Sequence, residues 1–379
     1  MRTRPPNGVF VFVDHDSLWH SFHQVAALVR RNGMQAVRVT TAHTGPLERL
    51  ANRLLYARCH YLSGTAGLET LPSLLEPFTV MQVYLTEPMM AHLPDHIYRD
   101  LPPAVAADIR RRVRLSDKTM AARMAAELGI RAPEQLAANI VQPTIAVQTF
   151  GLPLVVKAKL GAAGSGVTIA ATVADIEQAV QAPEGRDGLF FERHISGQIV
   201  SYAATVFRGT IVQELTYQAV KSSSNPTGAP LAFEVIADDN LLNIGRTLCR
   251  ALDLNGPINV QTVRDATGDC WMIDLNLRPY GPMLSYQQHE IDTAAAFLYS
   301  TGVCSTPPQR RSASLGVRAY TFPNDAEELM RHGQPGRALY RYALRAPSFR
   351  RMLGINYLLY TSLSALAHKI DARMARIRN

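Results

Sequence analysis

A chain of 379 residues, 47% hydrophobic and 18% charged, is long enough for two or three domains, and its composition excludes a disordered or low-complexity protein. The net charge of +8 is confined to residues 337–379, which hold nine Lys/Arg and one acid, Asp371; the rest is balanced, so the charge of the body does not point to nucleic acid. Cys59, Cys249, Cys270 and Cys304 have no paired spacing, which excludes a disulfide framework and a zinc site; with no secretory pattern in residues 1–20 and no apolar run of spanning length, this predicts a reducing, cytoplasmic setting.

Residues 8–110 alternate strand and helix signals. Gly8–Val13 is an apolar strand. Asp16 or Ser17 can cap a helix that runs to about Asn32 and stops at Gly33. Gln35–Thr40 and Thr79–Leu85 are further strands, so the region reads as a small open α/β sheet. Asp14-His15-Asp16 follows the first strand where a dinucleotide site would carry glycines, which excludes that fingerprint. Arg110–Arg114 reads as a solvated boundary. Ser116-Asp117-Lys118 opens a helix ending at Leu128. Pro153–Lys159 is a strand, followed by Gly161-Ala162-Ala163-Gly164-Ser165-Gly166-Val167 and the strand Thr168–Ala171. A helix over Ala174–Gln181, a strand over Leu189–Ile195 and a hairpin of Tyr202–Phe207 with Thr210–Tyr217 come next. The loop Lys221–Gly228 has a mobile composition, and Asp239–Leu252 is a helix. From about Gln309 the pattern turns mainly helical.

The chemistry sits in Gly256–Gln261 and Trp271–Arg278. These read as a hairpin around Asp265–Asp269 that places Gln261 directly across from Asp274. Strand alternation sends Asp274, Asn276 and Arg278 to one face. One patch then carries a carboxylate, two amide oxygens and a guanidinium. Such oxygens suit Mg²⁺ shared with phosphate, and an adjacent arginine suits phosphoryl oxygens; the plainer alternative is a solvated polar face. Glycines in Gly161–Val167 can bring backbone N–H groups close to phosphate, or can simply turn the chain. Lys157, at the end of the strand feeding that loop, can reach the phosphates of a nucleotide, with Lys159 as runner-up. Lys118 at its helix start, taken alone, reads as solvated. Glu192 ends an apolar strand before a short hinge, Arg193 to Gly197, whose backbone can meet a purine edge; His194 has no second histidine near it and does not read as a metal ligand.

In this order, across about residues 113–300, the chain resembles the ATP-grasp superfamily, and within it the branch with the carbamoyl phosphate synthetase large subunit and related carboxylate–amine ligases. The resemblance implies an N-terminal α/β domain of the kind that precedes an ATP-grasp module (1–112), a two-lobed ATP-grasp domain of mixed α/β and α+β character (113–306) and a basic, mainly helical C-terminal extension (307–379). It implies that Lys118 and Lys157 hold ATP phosphates, and that Ala163, Gly164, Ser165 and Gly166 fold over them. Glu192, His194 and Ile195 would meet adenine at the hinge, with Gln198 nearby. Gln261, Asp274 and Asn276 would bind Mg²⁺ or Mn²⁺, and Arg278 would steady the transferred phosphoryl group. Two departures stand out: the middle metal ligand is Asp274 where glutamate is usual, and Ile199 occupies the place of a ribose-binding glutamate.

The implied reaction is an ATP-dependent joining of a small-molecule carboxylate to an amine, or to a thiol, through an acylphosphate. Arg278 and Lys157 would act on the reacting phosphate. The alternative is a silent nucleotide-binding module working through its basic extension. In that extension an apolar stretch, Met352–Tyr360, is flanked by Arg350-Arg351 and by Lys369 to Arg378. It reads either as a helix capping the core or as a basic amphipathic helix for a membrane surface or an acidic partner. Aromatics are not interleaved for stacking on nucleic acid.

Overall fold

The structure is a computed structural model, and it describes residues 8–15, 20–42, 44–161, 164–181, 185–222, 230–311 and 314–378. Four strands near the N-terminus form a parallel sheet: β1 (Gly8–Asp14), β2 (Gln35–Thr40), β3 (Arg58–Tyr61) and β4 (Thr79–Leu85), in the order β3-β2-β1-β4. Every residue of β1 is buried, as a parallel strand covered on both faces requires. The helix His20–Arg31 returns the chain from β1 to β2, and Gly33 ends the turn at φ +78°. Its expected caps, Asp16 and Ser17, lie outside the described residues. The short, half-polar β3 was not apparent in the sequence.

A second sheet is small and antiparallel. Strands β5 (Gln135–Ala137), β6 (Leu154–Ala158), β7 (Val167–Ala170) and β8 (Leu189–Arg193) order as β5-β8-β6-β7. They enclose a core of their own with Leu154, Val156, Ile176 and Phe191. The third sheet is six-stranded: β9 (Gln198–Phe207), β10 (Thr210–Ser222), β11 (Pro230–Ile236), β12 (Gly256–Arg264), β13 (Cys270–Asn276) and β14 (Arg318–Tyr320), in the order β13-β12-β9-β10-β11-β14. The expected mobile loop after Lys221 lies almost wholly outside the described residues. One face of this sheet, with Val200, Tyr202, Ile258 and Val260, packs on the helices Lys118–Glu127 and Asp239–Leu252. The other face, with Ala203, Leu215, Tyr217 and Phe233, shares a core with Phe10, Phe12 and Phe22 of the N-terminal unit.

The expected solvated boundary is part of a packed helix, and the C-terminal extension caps the core. Arg110–Arg114 lies inside the helix Pro103–Ser116, and Arg112 is 1% exposed. Its guanidinium donates to Asp108, to the Asn255 carbonyl at 2.7 Å and to the Leu277 carbonyl. A run of arginines looks solvated in sequence, but here one member is turned inward by acceptors from a distant hairpin. At the other end, the helix Ile355–Arg378 lies along the helix Pro46–Leu55. Tyr357 and Tyr360 enter the main core with Phe22 and Phe349, and the Tyr360 ring meets His23 at 4.6 Å between centroids.

Candidate active site

The hairpin of β12 and β13 is set by its turn. Asp265 accepts hydrogen bonds from Thr267 Oγ1 (2.6 Å), Trp271 Nε1 (2.8 Å), Thr267 N (2.9 Å) and Asp269 N (3.0 Å). These bonds, led by the Thr267 hydroxyl and then the Trp271 indole, hold its carboxyl down at about 2. Gly268, at φ +89°, makes the reversal possible. The resulting register places Gln261 opposite Asp274 and Asn259 opposite Asn276, with an irregularity just after Gln261. Directly opposed residues share a face, so four oxygen-bearing side chains form one patch. Asn259 was missed in the sequence, although its parity with Gln261 along the strand is the signal that finds it. The same face runs on through Ser201, opposite Gln261, to Tyr217 on β10. Asn259 Nδ2 donates to the Tyr217 hydroxyl at 3.0 Å.

Lys118 reaches this patch from its helix start. Asp117 caps that helix by accepting from Thr119 N at 2.8 Å. The Lys118 ammonium stands 3.1 Å from Asp274 Oδ1 and donates to the Gly161 carbonyl at 2.8 Å. Its own backbone N–H donates to the Lys159 carbonyl at 3.0 Å. A residue that looks solvated in sequence therefore joins the hairpin to the glycine loop, and it is 7% exposed. In that loop Gly164 and Gly166 have φ near +78° and +70°. A Cβ on Gly166 would lie 2.7 Å from the Ala158 Cβ, so only glycine fits. Ala163 lies outside the described residues.

Arg278 is buried, and its partner comes from the N-terminal unit. Its guanidinium binds Glu87 through Nε at 2.8 and 2.9 Å and through a terminal nitrogen at 2.8 Å. It also donates to Asn276 Oδ1 at 3.3 Å, and Asn276 Nδ2 donates to Asp274 Oδ2 at 3.3 Å. Glu87 follows β4, and His15 Nδ1 meets Thr86 Oγ1 at 3.1 Å. The parallel sheet adds β2 and β3 on one side of β1 and β4 on the other. The carboxyl ends of β1 and β4 thus form a crevice of the kind in which open α/β sheets bind ligands, and Arg278 faces its rim through Glu87. Glu87 lies 191 residues from Arg278, and no local sequence signal marks it.

Lys157 and Glu192 are also buried, and they are paired with each other; Glu192 Oε2 accepts from Gln135 Nε2 at 3.0 Å. The ammonium expected on phosphate and the carboxylate expected at the adenine edge thus neutralise one another inside the small sheet. Lys159, just past the end of β6, donates to the Asp187 carbonyl at 2.6 Å. His194 and Ile195 are half-buried in the hinge before β9, Gln198 pairs with Gln218 at 2.9 Å, and Ile199 is exposed. The structure brings Lys118, Asp274, Asn276, Arg278 and Gln261 together around the hairpin. It keeps Lys157 and Glu192 in the other lobe.

The donor set on the hairpin fits a magnesium ion in one specific sense. It offers one carboxylate and amide oxygens, all hard donors, and the carboxylate already faces an ammonium. Mg²⁺ typically takes one or two carboxylates and completes its shell with phosphate and water, so the patch suits an ion shared with a nucleotide. Among the described residues no group of three His, Cys, Asp or Glu side chains could hold a metal ion. Nearby, Tyr217, Tyr280 and Tyr286 are buried, and burial raises all three phenols, which keeps them neutral donors.

No family model and no curated protein sequence matches this chain. Solved structures do. The biotin carboxylase domain of Hydrogenobacter thermophilus 2-oxoglutarate carboxylase, in complex with MgADP, ADP and bicarbonate, superposes with a TM-score of 0.62 at 12% identity, over 82% of this chain and 73% of that one. N5-carboxyaminoimidazole synthetase from Staphylococcus aureus, complexed with ADP, gives 0.60 at 12% identity over 81% and 80%. L-amino acid ligase from Bacillus licheniformis gives 0.55 at 15% identity over 78% and 74%. At such identities the likeness is one of architecture: this chain has the ATP-grasp fold that these carboxylase and ligase structures share.

Proposed function

We propose that the protein is an ATP-dependent ligase that activates a carboxylate as an acylphosphate and transfers the acyl group to an amine. The observation carrying this reading is the single face that holds Asp274, Gln261 and Asn276, with the Lys118 ammonium at 3.1 Å and Arg278 fixed by Glu87. In the first step a carboxylate oxygen attacks the γ-phosphorus of ATP and ADP leaves. In the second the amine attacks the acyl carbon and inorganic phosphate leaves. Both steps need fixed positive charge more than a nucleophilic side chain.

Lys118 supplies such charge by moving from Asp274 to the incoming phosphates, and Gln261, Asp274 and Asn276 would hold the cation. Magnesium, when bound, neutralises the triphosphate. Arg278, held by its forked bond to Glu87 and by the Pro279 carbonyl and Asn276 Oδ1, would add fixed positive charge beside the transferred phosphoryl group. The glycine loop, tied to Lys118 through Gly161, would close over the phosphates and keep water from the acylphosphate. The crevice at His15, Thr86 and Glu87 is the natural place for the acceptor. A thiol acceptor would follow the same course.

The alternative, a nucleotide-binding module without turnover, draws on two features: the internal pairing of Lys157 with Glu192, and the presence of one carboxylate, already paired, on the hairpin. ADP release measured over carboxylate and amine pairs, with Asp274→Ala as control, tests the ligase. Turnover that survives in Asp274→Ala removes the assigned role of the hairpin. Calorimetric ATP binding with no ADP release across the screen favours the silent module.

A further inference from the structure

We propose that the outer faces of the two C-terminal helices dock on an anionic lipid surface. The helix Pro335–Leu353 uses one side for the core: Ala338, Phe349, Met352 and Leu353 are buried. Arg341 and Arg345 on its flank are consumed by Asp325, at 3.4 and 2.6 Å, and by the Tyr320 ring. The opposite side is unlike an ordinary protein surface, which mixes both charge signs with polar groups. Its exposed large side chains are Arg337, Leu339, Tyr340, Leu344, Arg350 and Arg351, with only alanine, glycine and proline between them. Leu339 is 70% exposed, Tyr340 66% and Leu344 58%. Arg350 and Arg351 form no ion pair among the described residues.

The next helix repeats the arrangement. Tyr357 and Tyr360 point to the core, while Ile355, Leu359, Leu366 and Ile370 are exposed. Those four positions are spaced i, i+4, i+11 and i+15, which is one stripe of a helix. Seven of the sixteen exposed large apolar side chains among the described residues thus fall between Leu339 and Ile370. No acid occurs between Arg337 and Ile370, and the chain beyond adds Arg373, Arg376 and Arg378 against the single Asp371.

Apolar and arginine side chains together, with no acid contributed by either helix as far as Ile370, complement one occupant well: the boundary between acyl chains and anionic headgroups. Leucines and a tyrosine enter that boundary, while guanidinium groups meet phosphates. A second copy fits poorly, because an isologous contact would set Arg350 and Arg351 against arginines of the same patch. A nucleic-acid backbone would pair the arginines but leave the aliphatic stripe without a function. No helix among the described residues is long and apolar enough to cross a membrane, so the contact is a surface one.

Co-sedimentation of the full-length protein with vesicles tests this. Vesicles of phosphatidylcholine mixed with phosphatidylserine should pellet the protein, and phosphatidylcholine alone should pellet at least about tenfold less. Leu339→Glu with Leu344→Glu, and separately Arg350→Glu with Arg351→Glu, should each abolish most of the binding. All four positions are exposed, so the melting temperature of both variants should be unchanged, which separates lost docking from lost folding. Absence of binding to either vesicle, or equal binding to both, overturns the proposal. Capture by soluble polyglutamate without vesicle binding overturns it in favour of an acidic protein partner. A concentration-dependent dimer, broken by Leu339→Glu and indifferent to lipid, overturns it in favour of a second copy.

Discussion

The hairpin and the small sheet face each other across the candidate site, yet they are held in opposite ways. The hairpin takes its supports from far along the chain. Glu87 grips Arg278 from 191 residues away, Arg112 grips the Leu277 carbonyl from 165, and Tyr217 holds Asn259. The small sheet is self-contained: Lys157, Glu192 and Gln135 satisfy one another above a private apolar core. Lys118 is the joint, with its backbone on Lys159, its ammonium on Gly161 and its charge toward Asp274. A surface fixed by remote partners keeps its geometry during a reaction. A lobe whose charges pair internally can tilt as a body about such a joint, which suits a cover over phosphates.

The strongest way to break this contrast is Asp274→Asn. If the hairpin is the chemical platform, ADP formation should fall by about 10²- to 10³-fold, as it does when a preorganised charge is removed, while the fold persists. Next, Glu87→Gln leaves Arg278 buried without a counter-charge and should cost about 3–5 kcal/mol of stability, read as a shifted denaturation midpoint of the whole chain. Glu192→Gln strands Lys157 in the same way, but the loss should appear as faster hydrogen exchange in β6 and β8 alone. A single shared transition for both variants would mean that the two regions are not distinct.

Lys118→Gln sharpens the contrast at the joint. Removing an ammonium that shields Asp274 should raise affinity for free Mn²⁺, seen by electron spin resonance. It should also lower nucleotide affinity about tenfold, the scale of one charge-assisted contact. Effects of the same sign on both ligands would dismiss Lys118 as a shared counter-ion. The smallest effect concerns pH. The Asp265 carboxyl is held at about 2, below its usual 3.8. Its contribution is therefore present above the usual value and is lost as pH falls through about 2. In a Trp19→Phe background, Trp271 fluorescence should change over that range, and Asp265→Asn should remove the change.

The sequence revealed what local pattern controls. Alternation in Asp274, Asn276 and Arg278, with the turn at Asp265–Asp269, gave the register that pairs Gln261 with Asp274. The strands Gln35–Thr40 and Thr79–Leu85 and the helix Asp239–Leu252 came from apolar periodicity and fall where it put them. What escaped depends on distant partners. Arg112 looks solvated because its acceptors flank a distant hairpin, and Glu87 opens a short helix after β4 with no local pattern to mark it. A strand pattern also does not say that Lys157 and Glu192, opposite charges on neighbouring strands, pair with each other. Asn259 is marked in the sequence by its parity with Gln261 along β12.

Tyr357 and Tyr360 have one more implication. Because these rings are wedged among the phenylalanines of the N-terminal unit, the last helix cannot peel off as a flexible tether. Anything that grips its outer stripe grips the entire molecule at a set attitude, and the candidate site would then open in one constant direction relative to whatever lies beneath.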